Sequence, residues 1–193
     1  MRYTLVFISL MILAAAKSFI IDTDIFSDVE YVHEEFILHQ LTMDSDAAAL
    51  LLGSTLPGVQ LLGVNVNYPS SYSVSAASAI LAHYGNENVP ISAPRPLHDE
   101  TFFDNWRFEL GEFCSKIAYH WSGGSVPLNE AEKALDPVDM YRKVLADAED
   151  GSVTIASIGF LDSVCSFCCG QELRLIRCSY LISSTPRLTC IHH

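Results

Sequence analysis

Basic residues are scarce in this chain. Its 193 residues include only 11 Lys and Arg against 23 Asp and Glu, for a formal net charge of −12. A protein that grips a nucleic-acid polymer needs a basic footprint, so that function class is excluded. Acidity of this density also suits a metal site and a solvated secreted surface. Long apolar runs are scarce too. Leu5 to Leu13 is the longest candidate, and it is too short for a comfortable membrane span. Preceded by Arg2 and followed by Ala14-Ala15-Ala16 before Lys17, it has the order of a secretory signal over residues 1–17. The alternative is a buried first helix. On the signal reading the product is secreted, with no membrane segment in the mature chain. Cysteine is nearly missing from the first 164 residues, where Cys114 stands alone. Disorder is excluded, because half the residues are apolar. The length allows one medium domain with a real core.

The most informative stretch runs from Phe19 to Asp28. Phe19-Ile20-Ile21 reads as a buried strand, since a short apolar run bounded by polar residues suits a covered parallel sheet. Asp22, Asp24 and Asp28 then fall at or beyond its carboxyl end, where open α/β sheets place their ligand crevice. Carboxylates crowded together repel unless a cation or a shared proton relieves them, and hard oxygen donors suit Ca²⁺ or Mg²⁺. The plainer alternative is one helix-capping aspartate with solvated neighbours.

The rest of the chain reads as alternating strands and helices. Asp46 opens an Ala/Leu helix that stops near Gly53. Val59 to Val66 is a second buried strand, Ser73 to Tyr84 a second helix closed by Gly85, and Val89-Pro90-Ile91 a short third strand. Asp136-Pro137 opens a helix through Ala148, followed by a strand from Val153 to Ala156. The order predicts an α/β fold with an open, mostly parallel, Rossmann-like sheet and flanking helices. Between Asp99 and Gly124 lie Phe102, Phe103, Trp106, Phe108 and Trp121, then Gly123-Gly124. These form either a loop-rich aromatic wall over a pocket or the ordinary packing face of a helix.

Asp22-Thr23-Asp24-Ile25-Phe26-Ser27-Asp28-Val29 resembles the start of the amino-terminal signature of inosine-uridine-preferring nucleoside hydrolases. In that family the opening runs strand, Asp-x-Asp, short loop, Asp-Asp, then an Ala/Leu helix. Here the second part is displaced to Asp46-Ala47-Ala48-Ala49-Leu50-Leu51-Leu52. Leu61-Leu62-Gly63-Val64-Asn65-Val66-Asn67 and Val153-Thr154-Ile155-Ala156-Ser157-Ile158-Gly159-Phe160-Leu161-Asp162 continue the likeness in order. It covers roughly residues 18–164, interrupted once.

The interruption, residues 31–45, has the marks of a translated intron. Codons for Glu30-Tyr31-Val32 can read GA followed by GTATGT, a splice donor; Leu41-Thr42 can contain CTGAC; Ser45 can supply the acceptor AG before T. Joining GA to T restores an aspartate beside Asp46 and keeps the frame. A surface lid, with His33 and His39 as ligands, is the alternative. Residues 165–193 break the likeness a second time. They hold Cys165, Cys168, Cys169, Cys178 and Cys190, with His192 and His193 at the end. A disulfide-built tail and a zinc-like Cys-x-x-Cys are the alternatives there. Adjacent Cys168 and Cys169 suit neither well, and an aberrant, frame-changed tail is expected instead.

The resemblance implies hydrolysis of a ribonucleoside's N-glycosidic bond, releasing base and ribose. Such a reaction passes through a ribosyl cation-like state and needs a deprotonated water. Carried over residue by residue, Asp24 is the expected general base and a Ca²⁺ ligand, Asp46 the second ligand, and Ser157 a third through its carbonyl oxygen. Substrate contacts are expected from Asp22, which also supports the other acids, and from Asp28, Asn67 and Ser70, with Asn65 close by. The acid preceding Asp46 in the family is split here; the restored aspartate fills its place, whereas Glu30 or Asp44 is a poor substitute. The family draws further ribose-binding residues and a His-Asp pair from later segments, so this chain as written is expected to be inactive or barely active. The resemblance implies a small nucleoside as partner and a homo-oligomer as assembly. Two other classes stay open. One is a Mg²⁺-dependent phosphatase resembling the haloacid dehalogenases, with Asp22 as nucleophile, although Phe26 departs from that pattern. The other is a secreted, cysteine-linked binding protein without enzymatic activity.

Overall fold

The computed structural model describes residues 18–26, 46–99, 113–149, 151–160, 162–169 and 179–182. The order of elements is β1 (Ser18–Thr23), α1 (Asp46–Thr55), β2 (Gln60–Val66), α2 (Ser71–His83), β3 (Ile91–Ser92), α3 (Phe113–His120), α4 (Pro137–Leu145), β4 (Val153–Ser157), α5 (Asp162–Cys169) and β5 (Ser179–Ile182). A turn of 3₁₀-helix, Ala131–Lys133, precedes α4. The strands form one parallel sheet in the order β3-β2-β1-β4-β5. The expected α/β architecture with a Rossmann-like parallel sheet and flanking helices is what the chain adopts.

The apolar run at the start of β1 makes it the central strand. Phe19 and Ile21 pack among Leu50, Val64, Val74 and Leu81, on the side of α1 and α2, whereas Ile20 packs with Met140, Tyr141, Ile155 and Phe167, on the side of α4 and α5. Successive strand residues point to opposite faces, so the same alternation sends Thr23 toward α1 and Asp22 toward α4. Strand order reverses beside β1: the chain moves outward through β2 and β3, then returns to place β4 on β1's other edge. Such a switch point leaves a crevice at the carboxyl ends of the two strands.

Several boundaries differ from those read in the sequence. Helix α1 does not stop at Gly53 but runs on to Thr55. A Cβ on Gly53 would lie 2.7 Å from Ile21 Cδ1 and 3.0 Å from Phe19 Cζ, so this glycine brings helix and strand together rather than ending the helix. Strand β3 starts at Ile91 because Pro90 has no N–H for the ladder; its carbonyl instead accepts from Val64 N at 3.0 Å. Helix α4 begins as expected, with the Asp136 side chain accepting from Val138 N at 2.9 Å and Pro137 in the first turn. Residues 113–120 follow the helical alternative for the aromatic region, burying Cys114 and Ala118, while Trp121 is 61 % exposed. Phe102, Phe103, Trp106 and Phe108 lie outside the described residues. Helix α5 and strand β5 carry the α/β alternation past residue 164 into the stretch read as an aberrant tail, with Ile155 paired to Tyr180. Residues 1–17, 31–45 and 183–193 lie outside the described residues. No helix among the described residues is long and apolar enough to cross a membrane.

Candidate active site

Three strand ends converge at the switch point. In the sheet register Asp22 stands opposite Asn65 of β2 on one side and Ser157 of β4 on the other. Asp22 is fully buried. Its Oδ2 accepts from Asn65 Nδ2 at 3.0 Å and from the Tyr141 hydroxyl of α4, and its Oδ1 accepts from Asn67 Nδ2. Asn65 Nδ2 also donates to Asn67 Oδ1 at 2.7 Å, and Ser92 Oγ donates to Asn65 Oδ1 at 2.8 Å. The second amide hydrogen of Asn67 goes to the carbonyl of Phe160, in the loop after β4. Burial is the main influence on the Asp22 carboxyl and pushes it up to about 6; the Tyr141, Asn65 and Asn67 hydrogen bonds pull the other way, and the nearby charge of Asp24 adds to the rise.

The other acids occupy the opposite face and the lip. Asp46, at the start of α1, is buried, and its Oδ2 accepts from Thr23 Oγ1 at 2.6 Å and from the Asp24 backbone N–H at 3.1 Å. Thr23 Oγ1 also accepts from Ile25 N at 3.2 Å, which shapes the turn that follows β1. Asp24 itself is half-buried. The loop after β4 lies against it: a Cβ on Gly159 would be 2.5 Å from Asp24 N and 2.9 Å from Asp24 Oδ1. That loop is anchored to β1 by Ile158 N and Gly159 N, which donate to the Asp22 carbonyl at 2.8 and 3.3 Å.

An aromatic row borders the same edge. The rings of Phe26 and Tyr68 are 4.4 Å apart, and Tyr68 meets His98 edge-on at 5.3 Å. Ser71 N donates to the His98 carbonyl and His98 N to the Pro69 carbonyl, which fixes this row to the start of α2. Phe160, one residue beyond Gly159 in the loop after β4, is 57 % exposed.

Of the residues singled out in the sequence, the fold gathers Asp22, Asp24, Asp46, Asn67 and Ser157 at the ends of β1, β2 and β4. Asp22 and Asn67 stand there as supports: the first is enclosed, and both amide hydrogens of the second are spent on Asp22 and Phe160. Ser70 is buried at the start of α2, bridged to His98. Asp28, Glu30, Asp44, His33 and His39 lie outside the described residues. Sequence reading missed Thr23, Ser92, Tyr141 and Gly159. Only Tyr141 left a signal, a hydroxyl on the buried face of a helix that otherwise buries Pro137, Met140 and Leu145.

The donors at the lip are all oxygens, which suits a hard cation. The Asp24 and Asp46 carboxylates are oxygen donors of the kind Ca²⁺ takes. Ser157, expected to add its carbonyl, is 2 % exposed; its Oγ has no hydrogen-bond partner among the described residues, but it shares the Asp22 face of the sheet and not that of Asp46. Among the described residues no cluster of three or more His, Cys, Asp and Glu forms, so most of a shell of six to eight oxygens falls to other donors. No family model and no curated protein sequence matches this chain.

Proposed function

We propose that this chain carries the site of a nucleoside hydrolase, which cleaves the N-glycosidic bond of a ribonucleoside such as inosine or uridine with water. One observation carries the reading: Asp24 and Asp46, 22 residues apart in sequence, meet at the switch point of the sheet, with Asp46 Oδ2 3.1 Å from Asp24 N. The resemblance of residues 22–29 and 46–52 to the family signature requires that meeting, and the interruption between them made it far from automatic.

Asp24, half-buried at the lip, takes the proton of the attacking water. Asp46, tied down by Thr23 Oγ1 and Asp24 N, stands beside it as the second carboxylate of the site. Asp24, Asp46 and the Ser157 carbonyl would hold a Ca²⁺ ion, which would lower the pKa of the water. The phosphatase alternative needs Asp22 as an accessible nucleophile. Complete burial and three hydrogen-bond donors oppose that role.

The deciding experiment incubates the full chain with Ca²⁺ and either inosine or uridine, follows base release by chromatography, and titrates Ca²⁺ by calorimetry. Base release that disappears in Asp24→Asn and Asp46→Asn supports the proposal. A folded chain that binds no Ca²⁺ and leaves both nucleosides intact overturns it.

A further inference from the structure

We infer that Asn67 and Tyr141 are positioning residues that set the Asp24 carboxylate by way of Asp22 and the loop of residues 158–160; the inference rests on the hydrolase reading for its chemistry. The buried network at the ends of β1, β2 and β4 is stricter than packing demands. Asn67 gives one amide hydrogen to Asp22 Oδ1 and the other to the Phe160 carbonyl, while its own N–H donates to the Thr23 carbonyl at 2.6 Å. It therefore pins the loop after β4 to the end of β1 from the far edge of β2. The Asp22 main chain grips the same loop from below, its carbonyl accepting from Ile158 N and Gly159 N.

The consequence falls on Asp24. Gly159 leaves no room for even a methyl group against Asp24 N and Oδ1, so a small displacement of the loop is transmitted to the carboxylate. Tyr141 holds the other end of the lever. Its hydroxyl, 119 residues from Asp22 in sequence, bonds the Asp22 oxygen that Asn65 also holds, and so fixes the carboxylate plane to which Asn67 is attached. Asn65 is in turn fixed by Ser92 of β3. Neither Asn67 nor Tyr141 needs to touch a substrate. Each determines where a residue that does touch it stands.

Two variants and two measurements test this. Tyr141→Phe removes one oxygen and keeps the ring; Asn67→Ala removes both amide hydrogens and adds no charge. Ca²⁺ affinity is measured by calorimetry at a temperature where circular dichroism shows wild type and variants folded, and amide hydrogen exchange is read at Ile158 and Gly159. Loss of an outer support to a metal ligand commonly weakens metal binding by 10- to 100-fold, so about tenfold weaker Ca²⁺ binding is expected in each variant. Exchange at Ile158 and Gly159 should rise in Asn67→Ala more than elsewhere in the sheet. A role confined to stability lowers the melting temperature and leaves the affinity of the folded protein unchanged; folded variants that bind Ca²⁺ like wild type overturn the inference. If wild type itself binds no Ca²⁺, the hydrolase reading fails separately, and the exchange data decide alone: acceleration confined to residues 158–160 supports the brace, and uniform or absent acceleration overturns it.

Discussion

Asp22 lies in β1 and Asp24 just past its end, two residues on, yet the first is enclosed and the second reaches the lip. Alternation alone would put both on one face; the contrast comes from the end of the strand at Thr23, which leaves Asp22 inside the sheet and Asp24 beyond it, and it divides their chemistry. Replacing Asp24 by Asn keeps shape and removes charge, so base release should fall by at least about 10²-fold if this residue is the general base, with little change in melting temperature. Asp22 should respond in the opposite way, through stability. Its carboxyl sits at about 6 in the folded chain against an ordinary 3.8, so the folded state holds more proton than the unfolded state between those values. Its contribution is fully present below about pH 4 and is lost as pH rises toward 6, a change of roughly 3 kcal/mol in the metal-free protein. Urea midpoints measured from pH 4 to 7 should fall for wild type relative to Asp22→Asn, which mimics the protonated form; a difference that stays constant with pH would contradict this account. The acids themselves were legible in the sequence, because an apolar run that breaks into Asp-x-Asp marks the point where a buried strand meets a polar crevice. Their different burial was not, since it depends on Tyr141 and Asn67, which approach from distant segments.

At the scale of elements, strands β1, β2 and β4 were legible as apolar runs, and α4 through Asp136-Pro137. Helix ends were less so, because tertiary packing decides them: Gly53 looks like a stop and is instead the contact that lets α1 lie on Phe19 and Ile21. The loop between β4 and α5 was legible only as a loop. What it does follows from Gly159, whose missing side chain admits Asp24. Two glycine substitutions separate site from scaffold. In Gly159→Ala the new methyl meets Asp24 N and Oδ1, so the loop must shift, and stability should drop by about 1–3 kcal/mol together with most Ca²⁺ affinity. In Gly124→Ala the methyl meets Ser78 Oγ at 2.5 Å and the backbone has a φ of 78°, so a similar loss of stability is expected. That turn lies on α2 through Ser78, which donates to the Gly123 carbonyl and accepts from Val126 N, and it is not part of the acid site. Calorimetry at a temperature where both variants are folded should show weakened Ca²⁺ binding in the first and unchanged binding in the second. Equal behaviour of the two would detach the 158–160 loop from the site.

For the whole molecule the question is why β1 and α1 meet at all across residues 27–45. The contact is held by local bonds, Thr23 Oγ1 and Asp24 N to Asp46 Oδ2, and by Gly53 against Ile21. Nothing in those bonds requires a long connection. A chain with residues 31–45 removed and Glu30→Asp, the product expected if that segment is a translated intron, leaves four residues between Phe26 and Asp46. Four residues and their flanking bonds span at most about 17 Å, ample for two ends whose side chain and main chain already touch. Closing the shorter loop costs less entropy, by about 1 kcal/mol from the logarithm of loop length, so the shortened chain should melt about 3 °C higher. It also places an acid directly before Asp46, at the position the family resemblance reserves for ribose. Melting temperature, Ca²⁺ affinity and base release should therefore rise together in the shortened chain. If it instead unfolds, or loses Ca²⁺ binding that the 193-residue chain possesses, residues 31–45 belong to the working protein and the intron explanation is wrong.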